Sequence, residues 1–215
     1  MAQVRRERDR SKFIARRTEI IDIAASLFAR HGYAATGIGE LGTAVGLARG
    51  ALYHYIGSKE SLLIEIHDRV MDPLLENTTA VAALDSPATD RLRMASEILL
   101  RDVIAHPDHV WVFLHEYRAL VGKHREEFRE KRLRYERLIL SLFEEGVARG
   151  ELSVPSTINA TLAFIGMHNY TYTWIRRFPG LDAAELSREF SDIFFRGAGA
   201  SLSGPSGETP DAHPE

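Results

Sequence analysis

The chain has 215 residues, 45% of them hydrophobic, enough for a sizeable core in one or two domains. It contains no cysteine, so disulfides, thiolate zinc sites and cysteine nucleophiles are excluded. Its net charge of −3 excludes a uniformly basic surface, although for nucleic-acid binding the distribution of charge matters more than the sum. No apolar run approaches the length of a membrane span and the charged start lacks an apolar leader, so a soluble cytoplasmic protein with no membrane partner is expected.

In chain order, the first residues are strongly basic. Arg5, Arg6, Arg8, Arg10, Lys12, Arg16 and Arg17 face only Glu7 and Asp9. Residues 1–15 read as a flexible basic arm, partly helical at most: a solvated tail, a segment that orders on a partner, or both. Ile20, Ile23, Ala24, Leu27 and Phe28 recur at three- and four-residue intervals and predict an amphipathic helix ending at Gly32. Two very short helices follow. Thr36 is placed to cap the first, Ile38, Leu41 and Val45 line one side of it, and Gly46 ends it, since glycine tolerates left-handed backbone. Gly39 and Gly42 weaken that helix by about 1 kcal/mol each relative to alanine. Arg49 to Tyr55 forms the second, closed by Gly57-Ser58, and Ser58 with Glu60 and Ser61 opens the next as its N-cap. Short helix, turn, short helix with a basic and aromatic exposed face is the plan of a helix-turn-helix DNA reader. A helical core segment with no DNA role is the plain alternative.

The helix opening at Ser58 continues through Leu62, Leu63, Ile66 and Val70. Pro73, inside or at its end, removes one hydrogen bond and kinks the chain, so this helix is a candidate lever between two domains. Asp85 to Thr89 is a turn. Arg91 to Ala105 is a helix with Leu92, Ala95, Ile98, Leu99 and Val103 inward. A helix from Pro107 to Leu120 or Val121 follows, then one from Glu126 to Ala148 carrying Phe128, Leu133, Tyr135, Leu138, Leu142 and Phe143. Pro155 to Arg177 and Ala183 to Gly197 complete the set, and the Ser-, Gly- and Pro-rich residues 201–215 read as a disordered tail. With no strand pattern and no repeat, the chain is all-α with about nine helices. Its expected division is a basic arm (1–15), a helix-turn-helix reader (16–63), a ligand-binding and dimerisation domain (64–200) and the tail (201–215).

From Ile21 to Leu63 the chain resembles the N-terminal domain of the TetR family of transcriptional repressors. The resemblance is carried by Ala24-Ala25, Leu27-Phe28, Gly32-Tyr33, Thr36, Leu41, Gly46, Gly50, Leu52-Tyr53, Ser58-Lys59-Glu60 and Leu62-Leu63. The chain departs from the family pattern at Tyr55 and Ile56, where His and Phe are usual, and at Ala48 and Ala51, where a small hydroxyl residue is common. The resemblance implies that Arg49 to His54 enter the major groove and that Thr36, Tyr53 and Lys59 hold phosphates, with Gly37, Ala48, Gly50 and Ala51 in the same DNA-facing set. It also implies a homodimer whose last two helices form a four-helix bundle, with Leu162, Ile165, Gly166, Phe190, Ile193 and Phe194 at the interface. Two readers then stand about 34–36 Å apart, matching a palindromic operator in double-stranded DNA.

The second domain is more aromatic than a linker requires. Trp111, Leu114, Tyr117, Phe164, Met167 and Trp174 are candidate walls of an apolar cavity for a small-molecule effector; close-packed core is the alternative for each. His168 and Asn169, polar groups in an aromatic helix, need partners when buried, and a ligand, a dimer mate or a water each supplies one. His115 to Arg118, and Gly166 to Tyr170 with Trp174, resemble a subgroup controlling lipid or steroid catabolism through acyl-CoA thioesters. No catalytic site, metal or cofactor is expected. His115-Glu116 lacks the second histidine of a helical zinc site, His106 and His109 flank a helix start, and neither a Gly-rich phosphate loop nor a nucleophile elbow occurs. The reading is a ligand-responsive repressor; the alternative is a regulator of the same fold that activates transcription or has no inducer.

Overall fold

The computed structural model describes residues 1–196, with the side chains of residues 2–5 outside that description; the expected tail, residues 201–215, also lies outside the described residues. Among the described residues there are nine α-helices, three short 3-10 segments and no strand. The first helix, α1 (Ala2–His31), is longer than expected and absorbs the basic arm. Two causes are visible. The sequence from Ala2 to Arg17 holds no Gly or Pro, and two arginines tie the helix to its neighbours: Arg16 donates to the Val45 carbonyl and Arg17 Nε to the Tyr55 carbonyl at 2.9 Å.

The reader comprises α1, α2 (Ile38–Val45) and α3 (Arg49–Ile56). Gly46 ends α2 in left-handed backbone, φ 66°. Thr36 does not cap α2. Its side chain is fully buried and its hydroxyl donates back to the Gly32 carbonyl at 2.8 Å, leaving Gly37 as the N-cap. Ser58 does cap α4 (Lys59–Ala82), its hydroxyl oxygen accepting from the Ser61 amide at 2.9 Å. This helix runs unbroken through Pro73, which has no amide hydrogen to give the carbonyl one turn back.

The second domain contains α5 (Ala88–Ala105), α6 (Pro107–His115), α7 (Gly122–Ala148), α8 (Thr157–Asn169) and α9 (Ala183–Arg196). Two expected helices are shorter. The one expected to reach Leu120 stops at His115, followed by a 3-10 turn at Tyr117–Ala119. The one expected to reach Arg177 stops at Asn169 and tightens into 3-10 turns. In that stretch Thr171 and Thr173 send their hydroxyls to the Met167 and Tyr170 carbonyls, local bonds that compete with regular helix. The second domain's α5 packs against α4, α7 and α9, and α8 packs on α7. One apolar core spans both domains, because α4 buries Leu62, Leu63 and Ile66 under the reader and Val70, Met71 and Leu74 under the bundle.

Gly39, exposed in the first turn of α2, has open space where a Cβ would stand. No contact requires glycine there, so Gly39→Ala should stabilise the protein by about 0.5–1 kcal/mol. Thermal unfolding of that variant measures the gain; a loss would show that α2 is not a regular helix at this residue.

Candidate DNA interface and effector cavity

The recognition face is built on α3. Leu52 and Ile56 anchor it in the core, while Arg49, Gly50, Ala51 and His54 are exposed and Tyr53 is half-buried. The Arg49 guanidinium lies 5.7 Å from the centre of the Tyr53 ring, which holds it on that face. Both reading helices start without a side-chain cap, at Gly37 and Ala48, so their first-turn amides remain open to an acceptor such as phosphate. Thr36 offers its side chain to nothing outside, being buried. Lys59 is half committed: its ammonium donates to the Tyr33 carbonyl and sits 4.2 Å from the Tyr33 ring centre. Burial lowers its pKa, opposed by the Glu116 charge.

Two polar contacts link the reader to α6. Glu116, the C-cap of α6, accepts from the Tyr33 amide at 2.9 Å, in the turn between α1 and α2. Asp22 of α1 accepts from Arg69 of α4 at 3.2 Å and stands 3.3 Å from His109 Nε2 of α6. These contacts join α6 to the turn ahead of α2 and to α1.

A cavity lies between α4, α5, α6, α7 and α8. Val70, Met71, Leu99 and Phe113 contribute apolar wall, and Asp102, Tyr135 and Asn169 contribute polar atoms, with Arg132 and Glu136 also present. Its free volume is about 50 Å³. A second space, about 160 Å³, shares Val70, Asp102 and Val110 with it and extends to Asp22, Arg69, His106 and His109. The Tyr135 hydroxyl is buried and has no hydrogen-bond partner among the described residues. Burial raises its pKa further from neutrality, the Asp102 charge adding to the effect, so it remains a neutral donor. Burial also raises the pKa of Asp102, against His106 and Arg101.

Of the side chains expected around a ligand, only Asn169 lines this cavity. His168 is a satisfied core histidine. Its Nδ1 lies 2.6 Å from the Phe164 carbonyl, which only accepts, so Nδ1 carries the proton and Nε2 accepts from the Ser96 hydroxyl at 2.6 Å. Phe164 is wholly buried and packs on Phe143 and Phe194. Trp174 belongs to a separate small cluster with Phe190. Tyr117 stacks on Phe128 at 5.9 Å, and Leu114 packs against the main core. Trp111 stacks on His115 and lines an outer groove with Tyr172 and Arg176. Met167 is half-buried on α8. Tyr135 was legible only as one of an inward apolar row, with Phe128 and Leu142 seven residues to either side; its hydroxyl was the overlooked signal. Asp102 among Leu99 and Val103 was another.

The six side chains expected at a dimer interface divide. Leu162 is 51% and Ile193 59% exposed and Gly166 is open, and on α8 and just after it Ile158 at 58% and Tyr170 at 67% are exposed as well. Ile165 is half-buried and also lines the cavity. Phe190 and Phe194 instead pack within their own chain, against His168 and Phe143. Leu186 and Ser191 are the inward residues of α9 on whose side these rings fall. Among the described residues no cluster of metal ligands occurs, and no helix is long and apolar enough to cross a membrane.

Comparison with known proteins gives a consistent picture. Residues 20–66 match the family described as bacterial regulatory proteins, tetR family, and residues 85–198 match the tetracyclin repressor-like C-terminal domain. The HTH-type transcriptional repressor KstR2 of Rhodococcus jostii (strain RHA1) is 33% identical over 176 residues, 80% of this chain and 84% of that protein. The TetR family transcriptional regulator PfmR from Thermus thermophilus is 28% identical, with a TM-score of 0.75 over 83% of this chain and 98% of its own. AibR, solved in complex with isovaleryl coenzyme A and operator DNA, shares the fold at 24% identity, with a TM-score of 0.72 over 84% of this chain and 98% of its own.

Three buried histidines make stability depend on pH: burial lowers the pKa of His67, and it lowers His109 and His168 further. Burial pushes His168 down to about 4, with the Phe164 carbonyl opposing; burial likewise pushes His109 down to about 4, opposed chiefly by Asp22. Unfolding returns each to its ordinary value of 6.5, so the unfolded chain binds more protons between those values. Stability should therefore fall as pH drops from about 6.5 towards 4, His109 and His168 contributing uptake of roughly two protons on unfolding. Denaturant midpoints across that window, compared with His168→Gln, measure it: the variant should lose part of the slope. An unchanged slope would place the imidazole in contact with water.

Proposed function

The chain belongs to the TetR family, whose members are DNA-binding transcriptional regulators and not enzymes, and from that premise we propose how this TetR-type repressor binds its operator and is released from it. It acts as a homodimer in the cytoplasm. Each α3 enters a major groove of a palindromic operator, with Arg49 and His54 towards the bases and Tyr53 and the open first turns of α2 and α3 on phosphates. The Lys59 ammonium helps hold the reader's turn as well as adding positive charge. The dimer buries Leu162, Ile165, Gly166 and Ile193 of α8 and α9 against a second copy, removing their exposed apolar surface from water.

The effector is small and largely apolar, and an acyl-CoA thioester is the first class to test. The observation that carries this reading is the cavity with its unpartnered Tyr135 hydroxyl, set against the helix that begins in the reader. Ligand pockets usually span about 300–1,000 Å³, so an acyl group enters only if α4, α6 and α7 part. That displacement gives the ligand different affinities for DNA-competent and DNA-free states, which is the requirement for induction. Glu116 and Asp22 carry the shift of α6 into the reader. The complex of AibR with isovaleryl coenzyme A supports the ligand class by analogy of fold.

Assembly tests the first part. Leu162→Glu with Ile193→Glu alters two exposed side chains and should leave the monomer folded. Sedimentation should show monomer, and operator affinity should drop at least tenfold; an intact dimer would move the interface to another face.

Effector release tests the second. Tyr135→Phe or Asn169→Ala should weaken thioester binding roughly 2- to 10-fold, the worth of one hydrogen bond, with free-protein operator binding intact. Glu116→Gln should leave thioester affinity near wild type yet raise the concentration needed for release. Titrating operator release beside direct ligand binding separates the two effects. If a broad thioester panel releases nothing, the ligand class is wrong while the repressor stands.

A further inference from the structure

We propose that α1 ahead of Phe13 is a second DNA-contacting element, in which Arg6 and Arg10 grip the phosphate backbone flanking the bases read by α3. The inference rests on the operator reading above and extends the surface that reading uses.

Phe13 is the residue that makes the extension part of the reader. It is half-buried, its ring stacked on Tyr55 at 4.8 Å and edge-on to His54 at 5.6 Å. Tyr55 and His54 belong to the recognition helix, and His54 is on its exposed face. Tyr55 is also a position where this chain departs from the usual family residue, and its ring is what Phe13 packs on. A few residues on, Arg16 and Arg17 cap the last carbonyls of α2 and α3, so α1 crosses the ends of both reading helices.

Charge then points outward from that anchor. Arg6, Arg10, Phe13 and Arg17 fall at i, i+4, i+7 and i+11, one face of a helix. Arg17 and Phe13 both touch α3, so Arg6 and Arg10 lie on the α3 side, with Asp9 towards the α2 side and Glu7 well away from both. Arg6, Arg8, Arg10 and Lys12 are all exposed, whereas Arg16 and Arg17 pair with Glu19 and Glu65. In a chain of net charge −3, a basic helical rod beside the recognition helix has polyanion as its complementary occupant. Arg6 stands seven residues ahead of Phe13, about 10 Å further along the axis, beyond the bases that α3 reads.

The experiment uses the full chain and a duplex obtained by selection from a random library, made in two lengths: the palindrome alone, and the palindrome with about ten extra base pairs on each side. Fluorescence anisotropy across a salt series gives affinity and its salt slope. Wild type should bind the longer duplex about tenfold more tightly. Arg6→Gln with Arg10→Gln should abolish that gain and lower the salt slope by about two to four per dimer, at roughly 0.9 per phosphate contact. Arg6→Lys with Arg10→Lys should retain most of both. No gain from flanks in wild type, or a gain and slope untouched by the glutamine pair, overturns the proposal while binding to the short duplex keeps the operator reading. Failure to select any duplex overturns that reading and the arm with it.

Discussion

The continuity of one apolar core along α4 is the constraint on which the rest depends. The helix has a single face, and that face is buried twice: under α1 and α3 near its start and under α5 to α7 further on. Close-packed side chains have little room to slide, so a change in the bundle is not absorbed locally. Pro73 lies in the bundle half, away from the reader core, and costs the helix a hydrogen bond without ending it. The sequence suggests a kink at Pro73; α4 instead continues as one helix from Lys59 to Ala82.

Cations do two kinds of work in this reader, and burial of the partner decides which. Arg16 and Arg17 complete the carbonyl ends of α2 and α3, where helix dipoles present partial negative charge. Lys59 completes the turn at Tyr33. These groups shape the reading surface from behind. The cations left exposed are Arg49 on α3 and Arg6, Arg8, Arg10 and Lys12 on α1, and it is these that the proposed complex sets against phosphates and bases. A negative total charge is no obstacle, because screening confines each charge's influence to about 10 Å.

His168 and Tyr135 follow the same rule with opposite outcomes. A buried polar atom needs a partner. Ser96 and the Phe164 carbonyl supply both partners of His168, so the histidine contributes to the core. Among the described residues nothing supplies one for the Tyr135 hydroxyl, and Tyr135 lines a cavity with Asn169 and Asp102. The ligand reading rests on the second residue for that reason.

Sequence alone determined the all-α class, the helix-turn-helix, the Gly46 and Ser58 boundaries and the family, because these depend on local spacing and on backbone preferences within a few residues. Apolar periodicity also identified the inward side of α1, α4 and α5, though in α7 it included Leu133, which is exposed. It did not reveal which polar groups in an apolar row would be satisfied, since the partners Ser96 and His168 are 72 positions apart. Nor did it show that Phe194 faces its own core while Ile193, the next residue back, faces outward. The tertiary structure decided the cavity's walls, the burial of Thr36 and the docking of Phe13 on Tyr55. Each is a contact between elements distant in sequence, where packing, rather than propensity, chooses the neighbour.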